Sequence, residues 1–309
     1  MEREPPYTDG KIEVTPAAGP LGAEIRGVDL SADIDAPTLE AIERAWARHL
    51  VLEWHDQPLT VAQHIAFGRR LGQLGDMSHV DQPETGLPPE VLVIVNDPAL
   101  NDAVAPPAGY LKGFQNKHVQ WHSDNSYREV PPKGSLFAVK ESPPEGGVTI
   151  FSNMYAAYET LTTEMKRKVA GRELIHDPSL NSANVLREGV TPPTDVSRGR
   201  GPRHPLVRVH PVTGRPALYL GRRPYAYICG YGVDESEALL DALWAHATAD
   251  RFVWQRAVNK PGDLLLWDNR CTMHARSPVD HSQARVMHRT LIKGDPVISA
   301  WNATGAAAE

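Results

Sequence analysis

The chain has 309 residues, of which 41% are hydrophobic and 23% are charged, and its formal net charge is -6. These values are typical of a globular protein with a sizeable core, and the acidic balance excludes a general attraction to nucleic acid or anionic membrane. Cys229 and Cys271 are the only cysteines and form no CxxC motif, which argues against a disulfide framework or a thiolate metal site. The first residues, MEREPPYTDG, lack the apolar core of a secretory signal, and no apolar run approaches the ~20 residues of a membrane helix. We therefore expect a soluble, cytoplasmic protein.

Helical signals come first along the chain. Asp35 precedes Pro37 and an apolar repeat at helical spacing, so a first helix is predicted there with Asp35 as its cap. Thr60 and Gln63 form a capping box that opens a second helix ending near residue 71. Later helices are predicted over residues 162–170 and, with Asp234 as cap, up to about residue 247.

Short β-rich segments separated by Pro- and Gly-rich turns fill much of the remainder. They cover residues 91–95, 136–139, 148–151, 206–209, 217–220, 264–267 and 286–292. Many short strands with few helices predict a mainly β fold, a barrel or jelly roll (double-stranded β-helix) with helices packed outside. No internal repeat or linker divides the chain, so residues 1–309 are expected to form a single domain. Residues 178–205 are polar and rich in Pro, Gly, Ser and Arg, and are expected to form a long mobile loop or active-site lid.

The segment QWHSDNSY carries the first chemical signal. His122 and Asp124 are two residues apart on a predicted strand, where alternate side chains share a face and could hold a divalent cation. A lone HxD pair is weak, since about one is expected by chance. His274 follows the apolar strand in PGDLLLWDNRCTMHA and could complete a set of two histidines and one carboxylate, the facial triad that suits Fe(II). The alternative for His274 is a hydrogen-bonded histidine in a turn.

The segment ARVMHRT carries the second signal. Arg285 and Arg289 are four residues apart in an apolar strand pattern, so both guanidinium groups should point to the same face. Burial of both would be costly unless anions bind there, and the planar guanidinium fork suits a carboxylate or sulfonate.

These motifs together resemble the Fe(II)- and 2-oxoglutarate-dependent dioxygenases of the taurine dioxygenase and 2,4-dichlorophenoxyacetate dioxygenase (TauD/TfdA) family. The most specific segments are WHSDNSY, PPEGGVTIF, HPVTGRPALYL, LLLWDNRCTMH and RVMHRT, in that order. The resemblance covers nearly the whole chain. It implies a jelly-roll enzyme that uses Fe(II), 2-oxoglutarate and dioxygen to hydroxylate a substrate, with release of succinate and carbon dioxide.

The resemblance also implies roles for single residues. His122, Asp124 and His274 would bind iron, and Arg285 with Thr149 would hold the distal carboxylate of 2-oxoglutarate. Candidate substrate-binding residues are Arg289, which would meet an anionic group, together with His118 and His79, although Met77 competes with His79 for its place. The expected substrate is a small anionic molecule such as a sulfonate, a sulfate ester or an aryloxyalkanoate, and the enzyme is expected to be a homodimer or homotetramer.

Three alternatives remain open at this stage. The chain could be a non-enzymatic jelly-roll metal-binding protein, or it could use the same ligands for hydrolytic zinc chemistry. It could also be an oxygenase that acts on a macromolecule, for which the only sequence signal is a group of arginines: Arg198, Arg200, Arg203 and Arg208. The segment GRRPYAYICGYG departs from the taurine-specific pattern, so taurine itself is not predicted as the substrate.

Overall fold

Two facing β-sheets form the centre of the molecule. The structure, a computed structural model, describes residues 4–77, 86–96, 119–256, 259–280 and 282–301. Within these ranges the larger sheet has eight strands, which lie in the order β1-β2-β3-β4-β15-β7-β17-β5. These strands are β1 (Tyr7–Asp9), β2 (Ile12–Pro16), β3 (Ala23–Arg26), β4 (Val51–Trp54), β5 (Leu92–Asn96), β7 (Gly134–Glu141), β15 (Leu264–Asp268) and β17 (Arg285–Ile292).

The smaller sheet faces the larger one and carries two of the predicted metal ligands, His122 and His274. In the described part of the chain its order is β14-β8-β16-β6. Its members are β6 (Val119–His122), β8 (Thr149–Asn153), β14 (Val253–Gln255) and β16 (Thr272–Arg276). Two short three-stranded sheets lie outside this pair and contain β9 (Glu173–Ile175), β10 (Arg203–Pro205), β11 (Val207–Val209), β12 (Pro216–Leu218), β13 (Tyr227–Ile228) and β18 (Ile298–Ser299).

The central strands of the larger sheet are buried on both faces. In β15, Leu265 and Trp267 point toward the smaller sheet, while Leu264 and Leu266 point toward the helices. Trp267 lies between the two sheets, with its ring centroid 5.6 Å from that of Phe151. This two-sided burial explains why the strand is apolar at successive positions rather than at alternate ones.

Helices cover the outer face of the larger sheet. The first two are α1 (Ala36–His49) and α2 (Val61–Leu71), and they pack against Trp54, Leu136 and Leu264. The other helices in the described ranges are α3 (Met154–Glu159), α4 (Thr163–Val169) and α5 (Val233–Ala247). The predicted jelly-roll core with helices outside is confirmed. Each described helix is too short or too polar to span a bilayer.

Two of the three predicted helix caps agree with the structure, and one differs. Asp35 caps α1 by accepting the Thr38 N–H at 2.9 Å, and Thr60 with Gln63 forms the predicted capping box. The predicted cap Asp234 is wrong. The N-cap of α5 is Gly232, whose N–H donates to the Glu235 carboxylate at 3.2 Å, so the cap lies two residues earlier than predicted.

The segment 178–205 has more regular structure than a plain loop. It contains a bridge between Leu180 and Leu186, a 3-10 turn over Val196–Arg198 and strand β10. Its first part lies against the metal-ligand strand, because the Ser182 carbonyl accepts the Gln120 N–H at 2.9 Å.

Candidate metal centre

His122, Asp124 and His274 converge in the space between the two sheets. Their ligand atoms all lie within 4.8 Å of one another, and the side chains are buried. Asp124 Oδ1 is 3.6 Å from His122 Nε2 and 3.8 Å from His274 Nε2. Two imidazoles and one carboxylate form the donor set that suits Fe(II), so the residues present fit this metal.

The strands bring the two histidines together directly. His122 is the last residue of β6, and its register partner on the neighbouring strand β16 is His274. The structure therefore places His274 inside a strand, although the sequence predicted it in or after a turn. Strand pairing explains the close approach of the two rings, whose centroids are 4.2 Å apart.

Asp124 reaches the site by a different route from the predicted one. Strand β6 ends at His122, so Asp124 lies in the following turn and the rule of alternating side chains does not apply to it. Asn269 fixes this turn: its Oδ1 accepts the Asp124 N–H at 2.7 Å, and its Nδ2 donates to the Asp124 carbonyl at 2.9 Å. Asn269 therefore positions the carboxylate, a role that the sequence analysis missed.

Hydrogen bonds prepare the ligands for a cation. His122 Nδ1 lies 2.7 Å from the Gln120 carbonyl, which can only accept, so Nδ1 carries the proton and Nε2 is free to coordinate. Asp124 accepts from the Ser135 hydroxyl at 2.9 Å and from the Arg289 guanidinium at 3.0 Å.

The electrostatic environment sets the protonation states required for metal binding. Burial lowers the pKa of His122 and, with His122 beside it, holds the pKa of His274 well below its usual value. Burial alone would raise the pKa of Asp124, but Arg289 and the two histidines hold that pKa well below its usual range. Both imidazoles are therefore neutral and the carboxylate is ionised near pH 7.

A second group of buried polar residues lies at one end of strand β17. Arg285 is 2% exposed, and its described contacts include one hydrogen bond to the Gly147 carbonyl at 3.2 Å, while its Nε has no partner among the described residues. Burial, with Arg276 nearby, lowers the pKa of Arg285 to about 9. Thr149 begins strand β8 and lies in register opposite Arg276. A buried guanidinium with unused donors fits the carboxylate of a co-substrate.

Two of the other residues predicted to bind the substrate, Arg289 and Met77, lie in the described part of the chain. Arg289 lies on the same inner face of β17 as Arg285 and contacts Asp124. Met77 packs against Leu92 and Leu291. His79 and His118 lie outside the described residues. Arg276 was not predicted as a member of this buried group. It lies two residues after His274 in the sequence, and this spacing would have placed both side chains on one face of a strand.

A second cluster resembles a metal site but is already satisfied internally. His210, Asp268 and Cys271 have ligand atoms within 4.8 Å of one another. The two carboxylate oxygens of Asp268, however, accept from His210 Nε2 at 2.9 Å and from Arg270 Nε at 2.9 Å. Burial also holds the pKa of the Cys271 thiol well above its usual value, so the thiolate needed for metal binding is disfavoured.

We therefore expect one tightly bound Fe(II) per chain. Anaerobic dialysis followed by metal analysis should give a stoichiometry near one for the wild type and for Cys271→Ser, because that thiol is not a ligand. His274→Ala should lose the bound iron. Two tightly held equivalents, or loss of iron in Cys271→Ser alone, would contradict this assignment of the two clusters.

Comparisons with known proteins agree with this geometry. The family described as "Taurine catabolism dioxygenase TauD, TfdA family" matches residues 13–291. The chain is 34% identical to a (S)-phenoxypropionate/alpha-ketoglutarate-dioxygenase of Sphingobium herbicidovorans over 92% of this chain and 96% of the relative. It is 32% identical to pentalenolactone F synthase of Streptomyces arenae, over 96% of this chain and 100% of the relative. A crystal structure of a taurine dioxygenase from Burkholderia xenovorans superposes with a TM-score of 0.74 at 31% identity, and covers 97% of this chain and 95% of that one. The resemblance predicted from the motifs is thus confirmed, and the chain belongs to the TauD, TfdA family of dioxygenases, which use Fe(II), 2-oxoglutarate and dioxygen.

Proposed function

We propose that the chain hydroxylates a small anionic organic molecule at the centre formed by His122, Asp124 and His274, with conversion of 2-oxoglutarate and dioxygen to succinate and carbon dioxide. The observation that carries this proposal is the buried set of two imidazoles and a carboxylate, with ligand atoms within 4.8 Å, beside a strand that presents two arginines to the same space. The bound iron would supply the oxidising chemistry with the two co-substrates. The chain itself would position the reactants and exclude water.

Arg285 and Thr149 are proposed to hold the distal carboxylate of 2-oxoglutarate. The burial of Arg285 and its unpartnered Nε, within the described part of the chain, support this role. Gly147 adopts φ +63°, and a Cβ there would lie 2.9 Å from Arg285 Nε. A glycine at this position therefore keeps space beside the guanidinium and permits a backbone conformation that side-chain-bearing residues rarely adopt.

Arg289 is proposed to meet the anionic group of the substrate. Its side chain is 14% exposed and contacts the ligand carboxylate of Asp124, which supports a position at the reacting centre. His79 and His118 are proposed to line the substrate pocket. The enclosure of Met77 by Leu92 and Leu291 favours His79 over Met77 for that place. The phenoxypropionate named for one relative supports an aryloxyalkanoate among the candidate substrates, beside sulfonates and sulfate esters.

We also propose a domain organisation, a cellular location and an oligomeric state for this chain. The contact between Ser182 and Gln120 supports a role for residues 178–205 as a cover over the site of a single domain spanning 1–309. The free thiols of Cys229 and Cys271 support a location in the cytoplasm, where thiols stay reduced. The family resemblance supports a homodimer or homotetramer, which analytical ultracentrifugation would test.

The decisive experiment needs no primary substrate. Fe(II) and then 2-oxoglutarate are added to metal-free protein without oxygen, and the weak visible charge-transfer band of chelated 2-oxoglutarate is recorded. We expect the band in the wild type. Arg285→Gln should need about 10- to 100-fold more 2-oxoglutarate, because it loses a charge-assisted hydrogen-bond donor in a buried site.

A matched control separates the site from a general loss of positive charge. Arg44 lies on the outer helix α1 and pairs with Asp9 of strand β1 at 2.8 Å. The variant Arg44→Gln should therefore need the same concentration of 2-oxoglutarate as the wild type. Iron binding without any band would favour the non-enzymatic metal-binding alternative. An equal effect of both substitutions would remove Arg285 from the co-substrate site.

The alternative of a macromolecular substrate has lost part of its basis. Of the arginines that suggested a basic groove, Arg208 lies in strand β11, is 3% exposed and stacks on the Tyr219 ring at 4.9 Å. Arg198 is exposed but lies 3.6 Å from the carboxylate of Asp195.

A further inference from the structure

Arg222 is a buried guanidinium beside the metal ligands. Arg222 is 9% exposed and lines a cleft together with His122 and Gln120. The preceding residue, Gly221, accepts the Ser123 N–H at 3.0 Å, which ties this part of the chain to the segment between the two metal ligands His122 and Asp124. Arg222 is therefore held at the metal centre by the fold, although it lies in the loop between β12 and β13.

The described contacts of Arg222 leave its charge without a carboxylate partner. One terminal nitrogen donates to the Leu180 carbonyl at 3.2 Å, and the guanidinium lies 5.6 Å from the centroid of the Tyr127 ring. Its Nε is buried and has no hydrogen-bond partner among the described residues. An arginine has five N–H donors, and within the described ranges one hydrogen bond from this guanidinium is recorded, so it has capacity for a ligand.

Neither of the neighbouring acidic residues forms an ion pair with Arg222 within the described ranges. Asp124 accepts from Arg289 and Ser135. Asp177 lines the same cleft, and its Oδ1 accepts the Ser179 N–H at 2.8 Å. In the described part of the chain its Oδ2 has no hydrogen-bond partner, and the carboxylate forms no ion pair with Arg222. Burial, together with the charges of Arg187 and Arg289, lowers the pKa of Arg222 to about 10. The group nevertheless stays charged at pH 7, and an unpaired buried cation is costly.

The next residue provides an internal comparison. Arg223 carries the same side chain but lies on the outer surface, where it donates to Glu237 at 2.6 Å and to Asp241 at 2.6 Å. Its charge is satisfied by the protein itself. Two consecutive arginines thus have opposite environments. Arg223 is paired with carboxylates on helix α5, whereas Arg222 faces the metal centre with no carboxylate partner among the described residues.

We infer that Arg222 binds the anionic group of the primary substrate, a carboxylate, sulfonate or sulfate ester, in the cleft beside His122. This inference rests on the proposed function and extends it, since it names a second guanidinium that would share the anion with Arg289. Arg289 is already in contact with Asp124, whereas Arg222 Nε has no partner among the residues that the structure describes, so Arg222 is the group that the substrate's anion would satisfy. A planar fork recognises two oxygen atoms at once and would fix the orientation of the substrate toward the metal.

The test compares Arg222→Gln and Arg222→Lys with Arg223→Gln. Each protein is loaded anaerobically with Fe(II) and 2-oxoglutarate, and the charge-transfer band is titrated with (S)-2-phenoxypropionate, a 4-alkylphenyl sulfate and an alkanesulfonate. The probe that binds the wild type most tightly is then compared with its uncharged analogue, such as 2-phenoxypropionamide. Steady-state formation of succinate gives KM and kcat for the same probe.

We expect Arg222→Gln to weaken binding of the anion by about 10- to 100-fold and to raise KM by a similar factor, with little change for the uncharged analogue. Arg222→Lys should recover part of this loss because it keeps the charge without the fork. Arg223→Gln should match the wild type. The affinity for 2-oxoglutarate should be unchanged in all three variants.

Several results would overturn the inference. These are an unchanged anion affinity in Arg222→Gln, an equal loss for the anion and its uncharged analogue, or no affinity of the wild type for any of the three anions. Loss of the 2-oxoglutarate band in both Arg222 variants would likewise remove Arg222 from the substrate site and assign it to the co-substrate or the fold. Absence of the band in the wild type is a different outcome, because it would refute the proposed function itself.

Discussion

Asp124→Ala is expected to bind Fe(II) more than about 100-fold more weakly than the wild type, and to lose turnover with the metal. Substitution of groups that only orient a metal ligand already costs about 10- to 100-fold in affinity, so removal of the ligand itself should cost more. Ser135→Ala provides the matched comparison, because Ser135 donates to the Asp124 carboxylate at 2.9 Å without being a ligand. Its loss of Fe(II) affinity should fall in the smaller range.

The same substitution is also expected to destabilise the metal-free protein. Arg289 donates to both Asp124 oxygens, at 3.0 and 3.3 Å, and both side chains are largely buried. Removal of one member of such a pair leaves the other charge uncompensated, which typically costs about 3–5 kcal/mol. The double variant Asp124→Ala/Arg289→Met should recover much of this free energy of unfolding, because neither charge then remains.

The measurement should be made at neutral pH. The folded-state pKa of Asp124 lies well below its usual value, so the pair stabilises the fold above pH ~4 and loses this effect as the pH falls toward the folded pKa. Denaturant unfolding of the metal-free single and double variants at pH 7 would give the two free energies. A single variant as stable as the wild type, or a double variant less stable than the single one, would contradict the expected coupling.

The features that the sequence predicted correctly are those encoded within a few neighbouring residues. The cap at Asp35 and the capping box of Thr60 and Gln63 are patterns that span four residues, and they mark the starts of α1 and α2. Strand β15 was evident as an apolar run because it is buried on both faces. Strand β4 was missed because it follows α1 without a glycine or proline; Leu50 makes the turn itself with φ +67°.

The parts of the candidate site that the sequence did not predict depend on contacts between distant segments. His122 and Asp124 do point to one place, but Asn269, 145 residues away in the chain, holds the turn that makes them do so. The contact between Arg289 and Asp124 spans 165 residues. Arg222 and Arg223 are indistinguishable in a sequence, because only the fold determines which of them meets Glu237 and Asp241.

The second large effect is expected at Asp268, which organises the turn between β15 and β16. Its carboxylate accepts from His210 Nε2 and from the backbone and side chain of Arg270, all at 2.9 Å or less. Its backbone carbonyl accepts from the Thr272 hydroxyl at 2.6 Å. The hydrogen bond between His210 and Asp268 connects the HPVTG motif, which contains His210, to the WDNR motif, which contains Asp268. His210 Nδ1 accepts from the backbone of Val212 and Thr213, so its Nε2–H is available to donate to the carboxylate.

Asp268→Ala is therefore expected to lower the free energy of unfolding by about 3–5 kcal/mol, because it leaves a buried arginine and a buried imidazole N–H without their acceptor. Asp195→Ala is the control. Asp195 caps a 3-10 turn with its side chain about half exposed, so its loss should cost about 1 kcal/mol or less.

The pH dependence gives an independent check on the same residue. Burial alone would raise the pKa of Asp268, but Arg270 and His210 hold that pKa well below its usual value of 3.8. The stabilisation is therefore complete above pH ~4 and is lost progressively as the pH falls toward the folded pKa. The stability difference between wild type and Asp268→Ala should stay constant from pH 7 to about pH 4 and shrink below it. A difference under about 1 kcal/mol at pH 7, or one that grows toward acid pH, would show that the ionised carboxylate does not hold this turn together.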